Sequence, residues 1–412
     1  MNQIQIQVPD GTRRKIFGLH PNVFLLGVVS FLTDVSSEMI FTLLPLFLNN
    51  VLGTRTAIVG WVGGISESTD ALFRIVSGRI SDKIGKRKLL ATLGYSLSTA
   101  VKPLMLLAGT WGGVAGVRFG DRVGKGLRGA SRDALLADSL AVNERGKGFG
   151  FHRAMDTGGA VLGLIITAAI IYLVQGGGTD LKLETYKWMV AVGTVPAILG
   201  VLVLVSLVRE RKREKAAASI PGATRALAPP FDRRFILFLA VIAIFTLGNS
   251  SDFFVILRAQ SIQTPLIEVV AMLVLHNAVY AFTAIPMGVL SDKLGRRRVI
   301  AGGWFIYALV YLGFALATDV WQIWMLFAAY GLYYGIVEGV ARAFVADLVP
   351  VERRGTAYGY YQGVVGLMLL PASVLGGYLW DNVNPATTFY FGSGMALLAV
   401  LGILFLVRER TS

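Results

Sequence analysis

The sequence predicts an all-α membrane protein, with twelve transmembrane helices in two pseudo-symmetric bundles of six. Three observations predict it. The chain of 412 residues is 54% apolar with a positive mean hydropathy, and several apolar runs reach the ~20 residues that span a bilayer. A charged hinge, Gly78-Arg79-Ile80-Ser81-Asp82-Lys83-Ile84-Gly85-Lys86-Arg87-Lys88, recurs as Gly288-Val289-Leu290-Ser291-Asp292-Lys293-Leu294-Gly295-Arg296-Arg297-Arg298, 210 residues later and about half the chain away. Finally, Lys and Arg gather in alternate loops between the apolar runs, as the positive-inside rule requires.

Taken in order, the apolar runs place spans at 22–49, 57–79, 88–109, 112–138, 147–174 and 186–208, then at 234–257, 265–290, 298–317, 320–347, 356–380 and 387–408. Residues 1–208 are expected to form one bundle and 234–412 the other. Residues 209–233, which open Arg209-Glu210-Arg211-Lys212-Arg213 and continue through Pro221, Pro229 and Pro230, read as a cytoplasmic linker. The basic loops hold Lys83, Lys86, Arg87, Lys88, Arg145, Lys147, Arg296 to Arg298, Arg353 and Arg354. The opposite loops hold few basic residues, Arg55, Lys182, Lys187 and Arg258 among them. Both termini therefore belong to the cytoplasmic side, and the basic start around Arg13, Arg14 and Lys15 agrees.

The halves repeat beyond the hinge. Ala137-Asp138, followed by Glu144-Arg145-Gly146, matches Ala346-Asp347, followed by Glu352-Arg353-Arg354-Gly355. Ser36-Ser37-Glu38 in the first span matches Ser250-Ser251-Asp252 in the seventh.

Ionisable groups inside spans are costly and mark function by default. Asp34 and Glu38 are four residues apart and share one helical face. Two neighbouring carboxylates in a partly dry cavity repel, so one of them is placed to hold and release a proton. Span 2 carries Glu67, Asp70 and Arg74, a spacing that suits an intrahelical ion pair. Span 4 holds Arg118, Arg122, Lys125, Arg128 and Arg132, several along one stripe. Such cations must face a cavity, carboxylates from other spans or an anionic substrate. Span 5 offers His152, Arg153 and Asp156, followed by the small residues Gly158 to Gly163, which suit close helix packing. In the second half the candidates are Asn249, Asp252, Glu338 (four residues from Arg342 and paired with it) and Tyr361.

Several classes are set aside. The chain has no cysteine, so it has neither disulfides nor thiolate metal sites, and its three histidines form no metal motif. The net charge of +14 is accounted for by loop topology rather than nucleic-acid binding. Gly120 to Lys125 lacks phosphate-loop spacing, and no nucleotide-binding domain or hydrolase elbow appears. Neither an enzyme activity nor a cofactor or metal is expected.

The duplicated hinge resembles the signature loop between the second and third helices of each half in the major facilitator superfamily (MFS). The resemblance extends over nearly the whole chain. It implies that Gly78, Asp82, Gly85, Arg87, Glu144 and Arg145, with Gly288, Asp292, Gly295, Arg297, Glu352 and Arg353, form a conformational latch at the cytoplasmic face. Arg122 followed by Gly126 and Ala130 resembles the family's fourth-helix pattern, in which the Arg influences proton transfer. The small residues of span 5 weakly resemble the antiporter motif of the fifth helix, without its Gly-Pro pair. The acids of span 1 resemble those of bacterial drug/proton antiporters.

The expectation is a secondary transporter working by alternating access. Its first reading is proton-coupled export of small organic compounds, with Asp34, Glu38 and Arg122 coupling protons. Asp34, Glu38, Arg118, Lys125, Arg128, Asp156, Asn249, Asp252, Glu338 and Tyr361 would bind substrate. A second reading is transport of an organic anion such as a siderophore, carboxylate or phosphorylated metabolite on the basic stripe. A metal-ion exporter and a receptor with a transporter fold follow behind. The expected partners are a small-molecule substrate, protons and membrane lipids, with no nucleic acid. The expected state is a monomer in a bacterial inner membrane.

Overall fold

Twelve helical spans, α1 to α12, make up the computed structural model, which describes residues 16, 19–84, 87–140, 145–210, 231–350 and 353–407 (backbone only at 78–84 and 145–146). Among them there is no strand. α1 runs Pro21–Phe41 and resumes, after a turn at Thr42 and Leu43, through Leu44–Leu46 and a widened turn Phe47–Val51. α2 is Thr56–Ile84. α3 is Arg87–Val101, tightened into Lys102–Leu107 where Pro103 removes a backbone donor. α4 is Trp111–Asp138. α5 is Arg145–Ile170 with the widened turn Ile171–Gln175, and α6 is Leu183–Ser206. α7 is two pieces, Arg233–Gly248 and Phe253–Ser261. α8 to α12 are Leu266–Leu294, Arg296–Leu316, Val320–Leu348, Arg354–Asn382 and Pro385–Leu406. All twelve expected spans are present, in two six-helix halves.

Ten of the spans are long and apolar enough to cross a membrane on composition alone. The other two, α2 and α4, carry most of the buried charge. They cross because their polar faces turn inward, where other polar groups meet them, and not towards lipid.

The two halves carry the same hinge contact. Arg87 opens α3, bonds Asp138 at the end of α4 and donates to the Ala134 carbonyl at 3.0 Å. Arg296 opens α9, bonds Asp347 at the end of α10 at 2.6 Å and donates to the Ala343 carbonyl at 2.7 Å. All three positions repeat at one chain offset of 209 residues. Asp292 adds a second carboxylate on Arg296 at 3.2 Å. Gly295 turns the chain at φ +90°, which a side chain rarely tolerates. Both pairs lie within a half, pinning α3 to α4 and α9 to α10. Arg297 donates to the Leu404 carbonyl at 2.7 Å, and Arg353 lies over the Phe231 ring at 4.1 Å. Of the other expected latch residues, Gly288 sits within α8. Gly85, Glu144 and Glu352 lie outside the described residues, as do the side-chain surroundings of Gly78, Asp82 and Arg145.

The halves meet along α2 and α11 and along α5 and α8. At one end of the bundle the seam is a clasp. Asp381 of α11 accepts from the free N–H groups of Thr56 and Ala57 at the start of α2, at 3.2 and 2.8 Å, capping a helix of the opposite half. Gln260 donates to Asn50 at 2.8 Å and Asp180 at 3.0 Å, and the Leu266 N–H donates to the Gly178 carbonyl at 3.0 Å. The seam is thin because glycines line it: a Cβ on Gly377 would stand 2.7 Å from the Ala57 Cα.

Candidate functional site

Between the halves lies a cavity of about 610 Å³, walled by α1, α2 and α4 on one side and by α7 to α11 on the other. Its volume suits a drug-sized or metabolite-sized molecule. It opens away from the clasp. Arg342 lines it with 52% of its side chain exposed, whereas Gln260 and Thr56 at the clasp are 8% and 5% exposed.

The wall on the first half is built by close helix packing. The glycines of α5 let α1 approach, as their small size suggests: a Cβ on Gly163 would sit 2.7 Å from the Val35 carbonyl oxygen. This contact seats Asp34 and Glu38 of α1 against the cavity. Thr42 donates to Glu38, while Asp34 has no hydrogen bond and no ion pair among the described residues. α3 packs on α4 with Gly94 and Gly124 face to face, each Cβ position being 2.6 Å from the other's carbonyl oxygen. α4 then presents Arg118, Arg122, Lys125 and Arg128 to the cavity.

The α4 cations divide into two sets. Arg122 bonds Glu67 of α2 at 2.8 Å, and Arg118 lies 3.4 Å from Asp121 and over the Phe41 ring at 4.4 Å. Among the described residues, Lys125 and Arg128 have no carboxylate within 4.0 Å. The Arg128 guanidinium sits 4.5 Å over the Tyr95 ring, and its Nη1 is buried with no hydrogen-bond partner.

On the other half, α7 unwinds at the cavity. The Asn249 N–H closes the first piece on the Phe245 and Thr246 carbonyls, and the Ser251 N–H turns to Ser373 of α11 at 3.1 Å. Asn and Ser compete with the helix for such groups, and irregular backbone at this depth is tolerated where it lines a cavity. The matching Ser36-Ser37-Glu38 of α1 stays helical, so the repeat in sequence is not a repeat in local structure. The break turns Asp252 into the cavity, where Tyr330 donates to it at 2.6 Å and Tyr334 at 3.3 Å. His276 rests against both tyrosines, at ring distances of 5.3 and 5.5 Å. Asn249, Glu338 and Tyr361 also line the cavity. Glu338 bonds Arg342 at 2.8 Å as expected, accepts from Tyr280 at 2.7 Å, and stands 3.6 Å from Arg153 of α5, a bridge between the halves.

Nine of the ten expected substrate residues therefore share one cavity, and so does Arg122. Asp156 does not line it; its carboxylate lies 3.5 Å from His152. Two charged groups at or behind the cavity wall were missed. Glu67 was expected to share an intrahelical pair in α2, but Asp70 alone takes Arg74, at 2.9 Å, which frees Glu67 for Arg122. Lys102 was not singled out, yet it is fully buried, with Nζ 2.8 Å from the Ser36 hydroxyl and 3.1 Å from the Ser37 hydroxyl, directly behind the α1 acids. A lone Lys beside a proline in an apolar run was the signal that could have found it. Among the described residues, no group of three His, Asp or Glu side chains is placed to hold a metal ion.

Comparison with known proteins agrees with this architecture. The family model described as Major Facilitator Superfamily matches residues 26–275 and 237–412. An uncharacterized MFS-type transporter of Methanocaldococcus jannaschii is 38% identical over 395 residues, 94% of this chain and 95% of that one. The multidrug resistance protein MdtG of Dickeya zeae is 33% identical over 141 residues, 33% of this chain and 34% of that one. Among solved structures, the nucleoside transporter NupG superposes with a TM-score of 0.76 at 12% identity, over 94% of this chain and all of that one, a likeness of fold alone. The chain is thus a multi-pass membrane transporter and not an enzyme, and it belongs to the Major Facilitator Superfamily.

Proposed function

We propose that the protein is a proton-coupled secondary transporter that exports small organic compounds by alternating access. The observation that carries this reading is Asp34, an ionisable carboxylate on the wall of a cavity between the two halves that has no hydrogen bond or ion pair among the described residues. A carboxylate without a fixed partner can exchange a proton with cavity water. Glu38, one turn away, and the Arg122–Glu67 pair set the charge around it. Residues 1–208 and 234–412 rock as two bodies joined by the linker 209–233, of which 211–230 lie outside the described residues. The clasp is then the closed outer side, the open end faces the cytoplasm with both termini, and the monomer in a bacterial inner membrane is the working unit. The relation to the multidrug resistance protein supports efflux over a third of the chain.

A second reading, organic-anion transport, is favoured by Lys125 and Arg128, the α4 cations without a carboxylate partner among the described residues.

The test is a proteoliposome assay with an imposed pH gradient and an internal pH dye, using cationic drugs and organic anions in turn. Proton movement on adding a cation, lost in Asp34→Asn/Glu38→Gln, is the expected result. Solute flux indifferent to the gradient, or full activity of that double variant, would end the proton-coupled reading. An anion flux that survives it but fails in Lys125→Gln would replace it with the second.

A further inference from the structure

Groups of opposite charge without ion pairs stand on the two walls of the cavity. Once the ion pairs Arg122–Glu67, Arg118–Asp121 and Arg342–Glu338 are set aside, Lys125 and Arg128 of α4 remain without a carboxylate within 4.0 Å among the described residues, with the α1 acids Asp34 and Glu38 on the same wall. Facing them from the other half is Asp252, held at the α7 break by two tyrosine hydroxyls. The two walls differ in kind. Arg128 is 5% exposed, and its buried Nη1 has no partner, a donor waiting for an acceptor. Asp252 is open to the cavity and accepts from Tyr330 and Tyr334, whose rings, with that of His276, stand around it. A carboxylate among aromatic faces is the chemistry that receives an amine cation.

We propose that the transported solute is zwitterionic, with an anionic group seated on Lys125 and Arg128 and an ammonium group seated on Asp252 between Tyr330 and Tyr334. The inference rests on the transporter reading above and narrows its substrate. A monovalent cation leaves the Arg128 Nη1 without an acceptor, since Asp34 and Glu38 do not reach it, and a monovalent anion leaves Asp252 without a counter-charge. A site with fixed polar groups rejects ligands that fail to pair them. A zwitterion satisfies both walls. It also spans from α4 to α7, so it binds best in the state that brings the halves together over it, which couples binding to closure.

The experiment is isothermal titration of the purified full-length chain in detergent with matched probe sets. One set is norfloxacin, its ethyl ester and its N-acetyl derivative. The other is a phenylalanine dipeptide, its methyl ester and its N-acetyl form. In at least one set the zwitterion is expected to bind about tenfold or more tightly than either blocked form. Lys125→Gln and Arg128→Gln should each weaken the zwitterion and the N-acetyl form about tenfold and leave the ester unchanged. Asp252→Asn should weaken the zwitterion and the ester and leave the N-acetyl form unchanged. The conservative Lys125→Arg and Asp252→Glu should retain the preference. Equal affinity of a blocked form in both sets, equal loss across all three forms in a folded variant, or no binding by any probe overturns the proposal. The wild-type preference decides even if Arg128→Gln does not fold. Because binding in detergent needs no gradient, intact selectivity without gradient-driven flux would sink the proton-coupled reading alone.

Discussion

Arg122 and Glu67 stand 2.8 Å apart and join α4 to α2 at the cavity wall, the guanidinium 9% exposed and the carboxylate 39%. The pair crosses between two helices that are too polar to span a membrane singly. Removing one member leaves a buried charge unmatched, which costs about 3–5 kcal/mol in a dry interior. Here the cavity reaches Glu67, so Glu67→Gln should cost towards the low end, about 3 kcal/mol. Glu67→Gln is expected to unfold at lower temperature and to transport poorly. The double variant Glu67→Gln/Arg122→Gln should recover stability but not transport, as read by thermal unfolding in detergent beside flux in proteoliposomes.

Lys102 is enclosed by α1 and α4 with two serine hydroxyls as its partners. Lys102→Met keeps the volume of the stem, whereas Lys102→Ala opens a cavity. Large-to-small changes of this size cost about 2–5 kcal/mol. Lys102→Ala should therefore unfold at a clearly lower temperature than Lys102→Met. Equal unfolding temperatures would mean that the ammonium, not the packing of its stem, supports this region.

At the clasp, Asp381 caps the start of α2 in the opposite half. Loss of a cap costs about 1 kcal/mol, and here the loss falls on the closed state alone. The chain has no native cysteine, so a Ser251→Cys reporter is free of background. Adding Asp381→Ala should speed its reaction with an impermeant maleimide from the clasped side by about fivefold, the Boltzmann factor of that energy. An unchanged rate would show that the remaining contacts hold the clasp without it.

Gly163 lies against the Val35 carbonyl oxygen, where an added Cβ would stand at 2.7 Å. Gly163→Val must push α1 away from α5, at about 1–3 kcal/mol, and it moves the helix that carries Asp34 and Glu38. A lower unfolding temperature together with impaired proton coupling is expected. Gly150, whose Cβ would meet nothing, should accept Ala without either effect.

The repeated hinge pair offers an internal control. Arg87–Asp138 and Arg296–Asp347 occupy equivalent places, and each carboxylate is well exposed, at 39% and 50%. Exposed pairs contribute about 0–1 kcal/mol. Arg87→Ala and Arg296→Ala should therefore lower stability by similar small amounts, and a large effect of only one would show that the halves use the hinge differently.

The sequence by itself determined the twelve spans, their grouping by six and the inventory of buried charge. The reason is physical: a bilayer demands about 20 apolar residues per crossing, which marks ten of the spans, and penalises every ionisable group within it, which makes the charge of α2 and α4 stand out between the repeated loops. The hinge repeat was legible for the same reason, since Arg87 and Arg296 meet neighbours that recur at a constant offset. Only the tertiary structure decided which charges pair. Helical spacing allowed Arg74 either Glu67 or Asp70, and it placed Arg118, Arg122 and Lys125 on one stripe without naming their partners. The packing of α2 against α4 gave Glu67 to Arg122, while the orientation of α5 kept Asp156, one turn from His152 in its own helix, off the cavity. The unwinding of α7 that exposes Asp252 depends on Ser373 of α11, more than a hundred residues along the chain. Periodicity along one helix defines a face, but what that face meets is settled by how neighbouring helices pack, and here the glycines of α3, α4 and α5 set how closely they can do so.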